Sequence, residues 1–74
     1  MHSTFILTGE HIALCDLLKA TGIASSGGAG KQMVAAGEIR VNGQIELRKT
    51  CKIRAGQKIT GAGFSIVVKA AIID

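Results

Sequence analysis

The sequence contains no proline, tryptophan or tyrosine, and its only aromatic residues are Phe5 and Phe64. Both lie in short apolar runs and are expected in the core. That leaves no aromatic platform on which unpaired bases could stack, which argues against single-strand recognition by a ribonucleoprotein-type sheet. Long hydrophobic runs are also missing. No stretch approaches the roughly 18 consecutive apolar residues of a membrane span. The N-terminus has no basic flank, too short an apolar run and no cleavage pattern, so a cytoplasmic protein with no membrane contact is expected. Cysteine is limited to Cys15 and Cys51, expected as free thiols in that compartment. No Cys-x-x-Cys occurs, and the spacing of His2, His11, Cys15 and Cys51 matches no common zinc pattern. No serine, histidine and acid form a catalytic set. Neither an enzyme nor a metal or other cofactor is implied.

What is present is a chain of 74 residues, 47% hydrophobic, which suits one small domain spanning 1–74. Its net charge is +4, all of it from the second half. In residues 1–37, Lys19 and Lys31 balance Glu10 and Asp16. From Arg48 to Lys58 the chain carries Arg48, Lys49, Lys52, Arg54 and Lys58 with no acid. A one-sided basic stretch is the electrostatic footprint of a nucleic-acid binder, although it also suits a merely solvated face.

Periodicity outlines the elements. Phe5 to Leu7 reads as an edge strand. A helix over His11–Thr21, capped by Thr8 or Gly9, would place Leu14, Leu17, Leu18 and Thr21 on one face with Ile12 and Cys15 beside them. Asp16 and Lys19 would form a surface pair, and Gly22 would end the helix, with Ile23 folding back on it. Ser25 or Ser26 caps a second helix that places Ala29, Met33 and Ala36 on one face beside Val34, and Gly37 closes it. Ile39 to Val41 then runs into Asn42-Gly43, a strong hairpin signal. Because Val41 and Ile45 are both apolar, a three-residue loop pairing them is expected, with Ile45 and Leu47 continuing the inward alternation. Cys51 and Ile53 point inward, and Ala55-Gly56-Gln57 turns. Ile59 begins a strand, Gly61-Ala62-Gly63 turns again, and Phe64, Ile66 and Val68 alternate inward. Val67 and residues 70–73 extend the apolar character.

Gly27-Gly28-Ala29-Gly30-Lys31 invites a nucleotide-binding reading. A Walker loop fails here, because Ser25 stands at the first glycine's position, Gln32 at the hydroxyl's, and a helix rather than a strand precedes it. Two readings of the glycines remain: free N–H groups that receive a phosphate, or close packing of two helices.

Taken together, Leu14, Asp16 and Leu18, Ser26, Gly37, Val41-Asn42-Gly43 and Ile53-x-x-Gly56-x-x-Ile59 resemble the S4 RNA-binding domain, or alpha-L motif, over residues 12–60. Leu14-Cys15-Asp16-Leu17-Leu18-Lys19 and Arg48-Lys49-x-Cys51-Lys52-Ile53 are similar to the small stand-alone bacterial members. The resemblance implies an α+β fold, two helices packed on a small, mostly antiparallel sheet. It also implies binding of structured RNA, often ribosomal or transfer RNA, and a monomer is expected. Gly27 stands where many members have arginine, and Gln57 where many have aspartate. Contacts are therefore expected from Ser26, Gly27, Gly28 and Lys31 at the second helix, and from Arg40, Arg48, Lys49, Lys52 and Arg54. The alternatives are duplex DNA binding by a helix–turn–helix over 11–36, weakened by its single basic residue in the second helix, and a protein-interaction module in ribosome assembly.

Overall fold

In the computed structural model, residues 1–71 are described. The chain runs β1 (His2–Leu7), β2 (Ile12–Ala13), α1 (Leu14–Ala20), α2 (Gly27–Ala35), β3 (Arg40–Val41), β4 (Gln44–Ile45), β5 (Lys52–Ile53), β6 (Lys58–Gly61) and β7 (Phe64–Ala70). Five strands form a sheet in the order β1-β7-β6-β3-β4, and β2 pairs with β5 separately. Every pairing is antiparallel except β1 with β7. The α+β architecture read from the sequence is the one observed, with β1 at the sheet edge.

The helices lie against one face of the sheet. Leu14, Leu17, Leu18 and Val34 meet Ile39, Ile53, Ile59, Ile66 and Val68, all of them fully buried, and Phe64 closes the cluster. Each such side chain contributes about 1.5–3 kcal/mol on burial. Phe5 packs half-buried against the same cluster. α1 ends as expected: Gly22 takes φ 79°, and the Ala24 N–H donates to the Leu18 carbonyl. Thr21 turns its hydroxyl back onto the Leu17 carbonyl at 2.9 Å. Ser26 caps α2, its Oγ accepting from the Ala29 N–H at 3.0 Å, and Gly37 at φ 75° ends that helix.

Four expectations are corrected. The first helix begins at Leu14, not His11, and neither Thr8 nor Gly9 caps it. Ile12 and Ala13 instead pair with Ile53 and Lys52, and the segment after β4 supplies carbonyls to the start of the helix. The inward face of α2 centres on Gly30 and Val34, with Ala29 and Met33 beside them, while Ala36 is exposed. Asp16 and Lys19 are exposed and form no ion pair.

The fourth correction is the hairpin. Val41 pairs with Gln44 and Arg40 with Ile45 across a two-residue loop. Asn42 at φ 51° and Gly43 at φ 86° supply the positive dihedrals of a type I′ turn, whose twist suits antiparallel strands. Asn42 also bonds to Lys58 on β6 twice, donating its N–H to the carbonyl at 2.8 Å and accepting the Lys58 N–H on Oδ1 at 2.9 Å. These bonds outweigh the burial of Ile45 and Leu47, which are left 54% and 62% exposed. The expected apolar extension at residues 72–73 lies outside the described residues.

Candidate nucleic-acid interface

The candidate interface grows from the junction of α1, α2 and the loop between β4 and β5. At the start of α2 the Ser26 side chain satisfies Ala29, while the N–H groups of Gly27 and Gly28 have no partner among the described residues. A helix start carries partial positive charge, so exposed N–H groups there suit an anion. A Cβ on Gly28 would meet only Ser26 Oγ, at 3.8 Å, and one on Gly27 would meet nothing within 4 Å. Gly30 differs: a Cβ there would lie 2.8 Å from the Cys15 carbonyl oxygen. The two readings of the glycines therefore divide by position. Gly30 is the packing glycine, and Gly27 and Gly28 leave open backbone.

Cys15 ties this helix to the basic loop. Its carbonyl abuts Gly30, and its N–H donates to the Lys49 carbonyl at 3.0 Å. The Leu14 N–H donates to the Cys51 carbonyl at 2.9 Å. α1 has no side-chain cap, and these two loop carbonyls take the Leu14 and Cys15 donors that its first turn leaves free. The loop backbone is thereby held against α1 next to α2, with Lys49 exposed at the junction and Lys31 exposed on α2. Lys52 and Arg54 flank buried Ile53 and are exposed as well.

Arg48 is less free than its position in an acid-free run suggests. Its Nε and one terminal nitrogen donate to the Glu46 carboxylate at 3.0 and 3.1 Å, and its backbone N–H adds a third bond at 3.0 Å. These bonds hold Glu46 down at a pKa of about 2 and raise that of Arg48. The same guanidinium reaches Cys51 Sγ at 3.8 Å. Burial first, then the neighbouring Glu46, pushes the Cys51 thiol up, which keeps it protonated and a poor nucleophile. Arg48, Thr50, Cys51 and Lys52 line a shallow recess of about 450 Å³.

Arg40 stands apart. It projects from β3 on the sheet face away from the helices, so the fold separates it from Ser26, Lys31 and Lys49. Lys58 and Lys69, neither expected as a contact from the sequence, share that face. Their signal was present: inward Ile59 and Val68 turn the adjacent Lys58 and Lys69 outward. Among the described residues no three His, Cys, Asp or Glu side chains are grouped to hold a metal ion. No helix among them is long and apolar enough to cross a membrane.

Comparison with known proteins agrees with the fold. A family model for the S4 domain matches residues 5–69. The chain is 48% identical over 60 residues to "Putative RNA-binding protein YbcJ" of Escherichia coli, covering 81% of this chain and 86% of that one. The same identity and coverage relate it to "Uncharacterized protein YbcJ" of Shigella flexneri. The solution structure of Escherichia coli YbcJ, described as revealing an alfaL motif involved in RNA-binding, superposes with a TM-score of 0.72. The identity there is 47%, over 90% of this chain and 86% of that one.

Proposed function

The chain belongs to the S4 domain family, and from that premise we propose that it binds structured RNA, of the ribosomal or transfer RNA class, as a single non-catalytic domain. Lys31, Lys49, Lys52 and Arg54 contact phosphates, and the free N–H groups of Gly27 and Gly28, presented by the Ser26 cap, receive another. Arg48 contributes through the part of its guanidinium that Glu46 leaves open. Arg40 meets RNA on the other side of the sheet. The protein acts as a monomer in the cytoplasm. The observation that carries the reading is Cys15, which joins the Lys49 loop to the glycine-rich start of α2 and so supports one continuous electropositive surface. Phosphate contacts across such a surface recognise the shape of a folded RNA. Duplex DNA reading by α2 is disfavoured, because Lys31 is its sole basic residue and Gly30 is buried.

Fluorescence anisotropy tests this at one salt concentration, with transfer RNA, a ribosomal RNA hairpin and duplex DNA as probes. Tighter binding of either RNA than of DNA is expected. Equal affinity for all three would reduce the interface to a nonspecific basic patch, and tighter DNA binding would overturn the proposal.

A further inference from the structure

The five-stranded sheet is covered by helices on one face only. On the open face, Arg40 of β3 sits opposite Thr60 of β6, and Lys58 of β6 sits opposite Val67 of β7. Lys58 is two residues from Thr60, and Lys69 is two residues from Val67. Because β3, β6 and β7 are consecutive in the sheet, Arg40, Lys58 and Lys69 fall on one diagonal. Diagonal neighbours stand about 7–8 Å apart, comparable with the separation of successive phosphates along a nucleic-acid strand. All three side chains are exposed and none forms an ion pair among the described residues. No outward position on the five strands is acidic.

The geometry points to a second RNA-backbone surface on this open face, formed by Arg40, Lys58 and Lys69, which rests on the RNA-binding reading above. Charge complementarity selects the occupant. Uncompensated cations in a row, with the Thr60 and Ser65 hydroxyls beside them, suit a polyanion with regularly spaced charges. The apolar residues exposed on this face do not make a continuous protein-docking patch: Ile6 is on the β1 edge and Ile45 on the β4 edge, at opposite sides of the sheet, and Val67 on β7, 36% exposed, lies between Lys58 and Lys69. The face carries no exposed Phe, Tyr or Trp, and its one ring, the His2 imidazole at the β1 edge, is bonded to the Ser65 hydroxyl, so the surface reads phosphates and not bases. With α2 and the β4–β5 loop on the helical side, the protein meets RNA backbone on two faces.

The test is the salt dependence of transfer RNA binding, measured by anisotropy for four proteins: the unaltered chain, Lys58→Gln with Lys69→Gln, Lys58→Arg with Lys69→Arg, and Lys49→Gln with Lys52→Gln. The sheet glutamine pair should weaken binding and flatten the slope of log K against log salt by about 0.7–0.9 for each phosphate no longer neutralised. The arginine pair should keep the original slope, which separates charge from any change in folding. The sheet glutamine pair binding with unaltered slope and affinity overturns the sheet surface, also where that variant instead binds an acidic polypeptide such as polyglutamate more weakly. Should the loop pair alone flatten the slope, the proposed function stands without the sheet surface. Should the unaltered chain bind no RNA, both fall.

Discussion

At the scale of single residues, Gly28 and Gly30 sit in one helix with opposite roles, and substitution separates them. Gly28 has ordinary helical backbone, and a Cβ there would make only an ordinary contact with Ser26 Oγ at 3.8 Å. Gly28→Ala should therefore stabilise the fold by about 0.4–1 kcal/mol by reducing unfolded-chain entropy. If RNA approaches the N–H groups there, the same methyl weakens RNA binding. Gly30→Ala should destabilise by about 1–3 kcal/mol, because its Cβ meets the Cys15 carbonyl at 2.8 Å and the helices must part. Thermal melts of the two variants with matched RNA titrations check both. A second residue-scale prediction concerns pH. Glu46 has its folded pKa lowered from 4.5 to about 2 by Arg48. A carboxylate lowered in the folded state stabilises above its unfolded pKa, and that contribution disappears as pH falls through the folded value. Between pH 4.5 and 2 the unaltered chain should lose more stability than Glu46→Gln, seen as converging melting temperatures at the acid end.

At the scale of elements, the loop from β4 to β5 is held to α1 by its backbone, and the side chains of Lys49 and the adjoining Lys52 are exposed. Its carbonyls at Lys49 and Cys51 hold α1, so side-chain changes at Lys49 and Lys52 should leave the fold intact. Lys49→Ala with Lys52→Ala should weaken all RNAs alike and flatten the salt slope by roughly 0.7–0.9 for each phosphate that either lysine neutralises. Melting temperatures equal to that of the unaltered chain check that the loop is still in place. Arg48 is a poorer choice for this experiment, because its removal also strips Glu46 of its partner. The β3–β4 hairpin tests turn control of register. Gly43 sits at φ 86°, and Gly43→Ala should cost about 1–2 kcal/mol by forcing a Cβ into the left-handed region. Denaturant melts read that cost directly.

For the whole molecule, the two thiols report different depths. Cys15, on α1 against Gly30 and the Lys49 loop, is 3% exposed, whereas Cys51 is half-buried at the recess. Alkylation of the native protein should modify Cys51 first, slowly because its thiol stays protonated. Cys15 should react only at the rate of global unfolding. Mass spectrometry over a denaturant series distinguishes these rates. A Cys15 that reacts as fast as Cys51 would mean that the two helices separate locally without unfolding the sheet.

Local chemistry determined much of this protein from the sequence alone. Gly22 and Gly37 end helices because glycine accepts the left-handed dihedral without strain, Ser26 caps because its hydroxyl reaches the third N–H, and Phe64, Ile66 and Val68 alternate because a strand has period two. The S4 spacing from Ser26 to Val41-Asn42-Gly43 was legible for the same reason, since each position answers to neighbours a few residues away. Tertiary structure decided what depends on distant partners. Ile12 and Ala13 have helical spacing, yet β5, far along the chain, takes their hydrogen bonds. Ile45 and Leu47 look like core, but Asn42 locks the hairpin onto Lys58 in the other register. Among the basic residues, strand alternation in the sequence turns Lys58 and Lys69 outward but does not say which charges share a surface. Packing of Gly30 on Cys15 brings Lys49 to α2, and sheet registry sends Arg40 to the opposite side with Lys58 and Lys69, because a surface is defined by what lies beside a residue in space and not along the chain.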